Sequence, residues 1–110
     1  MSYRKRFLDK LIERDGEFCA YCGSGDDLHV DHVVPRSKGG SNEMINLKVC
    51  CWTCNYAKRD KSIIDFKLSE SLKRTDFHSI INYKQYQALL NLKLIQPIDL
   101  IDFYFEKIQK

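Results

Sequence analysis

The chain lacks any apolar run approaching the roughly 20 residues of a membrane-spanning helix, so no membrane partner is expected. It has only two prolines and five glycines among its 110 residues. With no internal repeat and no low-complexity linker, nothing divides it, and one domain is the expectation at this length. A hydrophobic leader is also missing: MSYRKRFLDKLIERDG sets charges among its apolar positions, unlike a signal peptide. Without an export signal the expected compartment is the reducing cytoplasm, where cysteines read as metal ligands before disulfides. No βαβ pattern is present, which leaves a redox-active CxxC of the thioredoxin kind without its usual setting.

What is there is a hydrophobic share of 44% and a charged share of 30%, the balance of an ordinary globular protein. A chain this short buries a small core, and a structural metal is a usual remedy. The net charge of +3 is modest, but its distribution is uneven. Arg4, Lys5, Arg6, Lys10 and Arg14 crowd the first segment. Arg36, Lys38, Lys48, Lys58, Arg59 and Lys61 lie in or just after the stretch from Leu28 to Lys58 that carries the polar motifs. Basic residues gathered near a site suit a polyanionic substrate.

Residues 3–15 read as an amphipathic helix, with Tyr3, Phe7, Leu8, Leu11 and Ile12 at helical spacing, Ser2 as N-cap and Gly16 as stop. Its apolar stripe is expected to cover the zinc end of the fold. CAYCGSG, from Cys19 to Gly25, has the form of a zinc knuckle, in which Gly23 is free to take a positive φ. A second pair, Cys51 and Cys54, completes a four-thiolate set: Cys19, Cys22, Cys51 and Cys54 are the expected structural zinc ligands. The intervening stretch exceeds the 15–20 residues of a simple ribbon, so something else is folded between the knuckles. Cys50 could replace Cys51, but only Cys51 completes the CxxC; Cys50 reads as a small buried apolar residue. Leu28–Val34 reads as a strand ended by Pro35, residues 37–43 as a turn-rich loop, Ile45–Val49 as a return strand, and Trp52 to about Lys61 as a helix. His29 is expected to be an exposed strand residue, and His78 receives no role.

Asp31, His32, Asn46 and Asn55 are the candidate reactive residues. In order and spacing, CAYCG, VDHVVPRSKGG and NLKVCCWTCNYAK make the segment over roughly residues 4–61 resemble the HNH endonucleases, the ββα-metal or His-Me finger family. The resemblance implies a small α+β fold, a ββα-metal core over 1–61 with an N-terminal helix and a structural zinc site. It implies His32 as general base, and an imidazole's ordinary pKa of about 6.5 suits that role near neutral pH. It implies Asp31 and Asn55 as oxygen ligands of a catalytic divalent ion, where Asn55 stands in place of the commoner His. Asn46 would orient the catalytic His and fix the loop by hydrogen bonds. Oxygen ligands suit Mg²⁺ or Mn²⁺, and a zinc closed by four thiolates is structural. Arg36, Lys38, Lys58 and Arg59 are candidate phosphate contacts.

Residues 62–110 read as a helical extension packed on that core. Asn82 is the expected cap of a helix over Tyr83–Ile95, and Pro97 the start of another to Lys107. Their apolar residues either pack or form an interface, so a dimer through these helices stays open. The function expected from the whole is a metal-dependent HNH endonuclease hydrolysing DNA, double-stranded DNA being the expected substrate. The alternative is a zinc-stabilised nucleic-acid-binding module with an idle site.

Overall fold

The computed structural model describes residues 3–76 and 80–108; Ser2 and His78 lie outside them. The first helix, α1, spans Tyr3–Asp15. It stops where Gly16 takes a φ of +106° and its N–H closes on the Ile12 carbonyl at 2.8 Å. Two strands, β1 (Leu28–His32) and β2 (Leu47–Cys51), pair antiparallel, with Val30 opposite Val49 and His32 opposite Leu47.

Directly opposed residues share a face, so Leu28, Val30, Leu47 and Val49 form one apolar surface. Leu11 of α1 buries itself against it, flanked by Phe7, Leu8, Ile12 and Met44. The helix therefore covers this face of the sheet. A two-stranded sheet cannot stand alone in water, and α1 supplies its missing layer. Arg14 ties the helix to β2, donating to the carbonyls of Met44 at 2.7 Å and Leu47 at 2.8 Å.

Both strands are shifted from their sequence-based bounds, for one reason. The ladder gives way just beyond His32: Val33 N–H still donates to the Asn46 carbonyl at 2.9 Å, but Asn46 N–H turns to the Glu43 carbonyl, 2.9 Å, and Val34 N–H goes to the Asn46 side-chain oxygen, also 2.9 Å. Residues 44–46 form a 3₁₀ turn, which presents that asparagine, so β2 begins at Leu47 and Ile45 lies exposed. Gly40 is required here. A Cβ on it would sit 1.7 Å from the Val34 carbonyl oxygen and 3.0 Å from the Asn46 amide nitrogen.

β2 runs straight into α2 (Trp52–Lys58), which stops short of Lys61 because Arg59 takes a φ of +49° while its N–H caps the Asn55 carbonyl at 2.9 Å. Helices α3 (Ile63–Leu72), α4 (Tyr83–Asn91) and α5 (Tyr104–Lys107) follow. No helix among the described residues is long and apolar enough to cross a membrane.

The chain divides into two compact units. One runs to Ile63 and takes in the chain again from Phe103; the other is Ile64–Asp102. In the second, Leu68, Leu72 and Tyr86 are buried among Ile81, Tyr83, Leu90, Ile95 and Ile98. Asn82 caps α4 as its sequence suggests, in a reciprocal box with Gln85, both bonds 2.9 Å. Of the helix expected from Pro97 to Lys107 only α5, from Tyr104, forms, and the stretch before it stays irregular. Ile98 N–H donates to the Tyr86 hydroxyl at 2.7 Å and Ile101 N–H to the Ser71 hydroxyl at 2.9 Å, which holds this stretch outside a helix.

In the first unit, the returning segment belongs beside the knuckle. Tyr104 and Phe105 N–H donate to the carbonyls of Tyr21 and Ala20, at 3.1 and 2.8 Å, and Phe103 packs edge-on to Tyr21 with centroids 4.9 Å apart.

Gly40→Ala should destabilise the protein by about 1–3 kcal/mol, the usual range for forcing extra volume into packed structure. Denaturant unfolding at constant m-value checks it; an unchanged midpoint would mean that the loop relaxes freely.

Candidate active site and zinc site

Cys19–Gly23 forms a tight turn in which Cys19 N–H donates to the Ser24 carbonyl at 2.7 Å and Gly23 N–H to the Cys19 carbonyl at 2.9 Å. Gly23 takes the positive φ expected of it, +85°. Across from this turn, Cys51 ends β2 and caps α2, its sulfur accepting from Cys54 N–H at 3.4 Å. The sulfurs of Cys19, Cys22, Cys51 and Cys54 all lie within 4.8 Å of one another, and Cys22 and Cys51 are 3.6 Å apart. A tetrahedral ion with Zn–S bonds of about 2.3 Å has sulfurs about 3.8 Å apart, so this donor set fits zinc. Cys50 is outside the set. It is fully buried, its thiol donates to the Cys51 carbonyl at 3.4 Å, and hydrogen bonding with Cys19 together with burial raises its pKa, which keeps it a neutral thiol.

Asp31 is buried next to the first knuckle. One carboxylate oxygen accepts from the Tyr21 hydroxyl at 2.6 Å; the other faces the Lys58 ammonium at 3.4 Å. Burial raises the Asp31 carboxyl's pKa, opposed by the Tyr21 hydrogen bond and the Lys58 charge. Tyr21 is itself pushed up, first by burial and then by the Asp31 charge, which keeps its hydroxyl a donor. Lys58 is a correction to the sequence reading. It is fully buried, donates to the His32 carbonyl at 2.9 Å and contacts no solvent, so it is no phosphate contact. Its place four residues after Cys54 puts it on the buried face of α2.

His32 leaves the sheet at its end. Its Nε2 meets the Asn42 side-chain oxygen at 2.8 Å. Asn46 accepts from Val34 N–H and donates to the carbonyls of Val34 at 3.1 Å and Ser41 at 2.9 Å, so it fixes the loop that carries Asn42. Asp31, His32, Arg36, Asn55 and Arg59 line one cavity of about 220 Å³ together with Val30, Pro35 and Asp60. A wider groove of about 610 Å³ between α1 and β1 shares His32, Arg36, Asn42 and Asn55 with it. Asp31 and Asn55 both line the smaller cavity; a carboxylate with an amide oxygen is the donor chemistry of a hard divalent ion, and both Asp31 oxygens already have partners in Tyr21 and Lys58.

Residues 19–72 match the family model described as HNH endonuclease. That segment belongs to the HNH endonuclease family. The Type II-C Cas9 enzyme from Actinomyces naeslundii is a similar solved structure, with a TM-score of 0.52 and 25% identity over 61% of this chain. The match spans 8% of that enzyme's length. None of the curated protein sequences matches the chain.

The HNH segment is thus a nuclease-type domain with a four-cysteine cluster. Of the site residues read from sequence, Asp31, His32, Asn55, Arg36 and Arg59 meet at the cavity. Asn46 stands behind it in the loop, and Lys38 is exposed on the 3₁₀ turn at 36–38 without lining either cavity. His29 is only partly exposed, its Nε2 3.0 Å from the Asp27 carboxylate. Two residues were missed. Asn42 was hidden in a run of turn formers. Tyr21 lies inside the CxxC, at a position whose residue type the knuckle spacing does not specify.

Zinc content should be one per chain. Cys54→Ser should release it and unfold the first unit, since structural zinc in small domains contributes about 10–16 kcal/mol of apparent binding energy. Cys50→Ala should retain the metal. Metal analysis with circular dichroism checks both; a Cys50 variant that loses zinc would move the ligand set.

Proposed function

We propose that the chain is a metal-dependent endonuclease that hydrolyses DNA phosphodiester bonds, with His32 as general base. The observation that carries this reading is the convergence of Asp31, His32, Arg36, Asn55 and Arg59 on one cavity within a segment of the HNH endonuclease family. Similarity to an enzyme, Cas9, supports catalysis over an idle site.

The geometry of His32 selects its reactive atom. The Asn42 group facing Nε2 is an oxygen, an acceptor, so Nε2 carries the proton and donates. Nδ1 then holds the free lone pair, and it takes the proton from the attacking water. Asn42 stops the ring from turning, and Asn46 holds the loop that presents Asn42. Asp31 and Asn55 would hold Mg²⁺ or Mn²⁺, which when bound supplies charge neutralisation at the phosphate and the departing oxygen. Arg36 and Arg59 offer guanidinium donors to the phosphate oxygens. Double-stranded DNA is the proposed substrate, and binding through such contacts is salt-sensitive.

Purified zinc-loaded protein should convert supercoiled plasmid to nicked or linear DNA with Mg²⁺ or Mn²⁺, and should stop when the ion is chelated. His32→Ala should lower the rate about 10²–10⁴-fold, the usual worth of a general base. Asn42→Ala should cost about 10- to 100-fold, as removing a group that orients a working histidine does. Asn42→Asp keeps an acceptor oxygen and should fall less. Cleavage that survives His32→Ala would remove the base assignment. A folded, zinc-loaded protein that binds DNA but never cuts it would turn the reading to the binding module.

A further inference from the structure

Helix α2 is buried on one face through Cys54 and Lys58, yet its outer face carries the largest side chains in the segment. Trp52 and Tyr56 are 53% and 56% exposed. Their rings stack on one another, with centroids 5.2 Å apart and planes 13° from parallel. Arg59 continues the row, its guanidinium 4.5 Å from the centre of the Tyr56 ring. The three stand at i, i+4 and i+7, a single stripe about 10 Å long at 1.5 Å per residue.

Large aromatics pre-stacked in water need a reason, because one seven-residue helix has enough polar alternatives. The conformation of Arg59 sharpens the point. It is a non-glycine residue at φ +49° and ψ −122°, a sparsely populated region that costs energy and gathers at functional sites. The guanidinium lies back over Tyr56, and Arg59 stays exposed beside it. Arg59 also lines the 220 Å³ cavity with Asp31, His32 and Asn55. The stripe is therefore continuous with the candidate active site at its Arg59 end and open at its Trp52 end.

We propose that Trp52, Tyr56 and Arg59 form a base-stacking platform that receives unpaired nucleotides flanking the scissile phosphate. Flat π-faces bordered by a cation are the composition of single-strand binding surfaces: the aromatics take bases of any sequence and the cation takes the backbone. A paired duplex keeps its bases stacked on each other and has none to offer a flat side-chain face. The platform thus selects substrates that are frayed, nicked or single-stranded beside the cut. This rests on the nuclease reading for its placement, but binding can be tested without turnover.

Trp52 is the only tryptophan in the chain, so its emission reports on the platform alone. Zinc-loaded His32→Ala protein, without added magnesium or manganese, should be titrated with oligothymidine and with a duplex of equal length. Fluorescence anisotropy of labelled strands gives total binding in parallel. Oligothymidine should quench Trp52 saturably, and the duplex should quench it less at equal occupancy. Tyr56→Ala, with zinc content and circular dichroism unchanged, should bind oligothymidine about 5- to 150-fold more weakly, the range seen when a stacking side chain is truncated.

Strand binding by anisotropy without a change in Trp52 emission would overturn the platform, as would unchanged affinity in Tyr56→Ala. Emission that shifts with protein concentration and not with oligothymidine would assign the face to a second copy of the chain, and would overturn it too. The two readings fail separately. Wild-type plasmid cleavage by the otherwise native Tyr56→Ala protein, with unaltered oligothymidine affinity, spares the nuclease and rejects the platform. Quenching by oligothymidine in a protein that cuts nothing with any divalent ion keeps the platform and rejects the nuclease.

Discussion

Four thiols must meet at one point, and that requirement organises the first unit. Cys51 satisfies it only by ending β2 and starting α2 in the same residue, which leaves no loop between strand and helix. The direction of α2 is then set by the sulfur cluster. With it come Asn55 at the cavity and Lys58 in the interior. On the other side, the Cys19–Cys22 turn carries Tyr21 inward to Asp31. A zinc closed by four thiolates does no chemistry itself. Here it acts through geometry: both partners of the Asp31 carboxylate, Tyr21 and Lys58, hang from the segments that the ion would join.

That arrangement buries a lysine and an aspartate together, an arrangement that is not in itself a source of stability. Desolvating two charges offsets much of their attraction, and a well-packed apolar pair can do as well. Lys58 gains an additional bond, to the His32 carbonyl at 2.9 Å. It therefore contacts Asp31 and the backbone of the next residue at once. An apolar side chain of the same size would fill the space but hold neither group. Specific positioning of the strand end is what the buried charge contributes.

The parts legible in the sequence were those whose signal is local. The four cysteines declare themselves by spacing, α1 by its apolar period, and the α4 cap by Asn82 with Gln85 three residues on. The parts that misled depend on contacts distant in the chain. Lys58 reads as one more cation in a basic run, and only the packing of α2 against β1 shows that it faces inward. Ile45 reads as the start of a strand, but the N–H groups of Asn46 and Leu47 turn back to the Glu43 and Met44 carbonyls and make residues 44–46 a 3₁₀ turn. Residues 97–102 have helical composition, but two of their N–H groups, those of Ile98 and Ile101, are taken by Tyr86 and Ser71. Asn42 was invisible for a related reason, since a loop of Ser, Gly and Asn looks the same whether or not one of its amides faces a histidine.

Adjacent residues on a strand point to opposite sides, and Asp31–His32 turns this into a division of labour. Asp31 faces inward, nearly dry, with both oxygens held by side chains that cannot move without disturbing the knuckle or α2. His32 emerges at the strand's last position, next to a loop, with its ring held by one amide. The group proposed to hold a cation needs rigidity, which the interior provides. The group proposed to move a proton needs contact with water and a fixed tautomer, which the strand end and Asn42 provide. Both line one cavity, and the ladder gives way just beyond His32, which leaves its ring beside a loop with the solvent contact that a general base requires. Asn46 is where the ladder gives way: its carbonyl accepts from Val33 N–H, but its own N–H turns to Glu43 and its side chain takes the Val34 N–H. Asn46 therefore acts on the proposed chemistry from outside the cavity, by deciding where a β-strand ends.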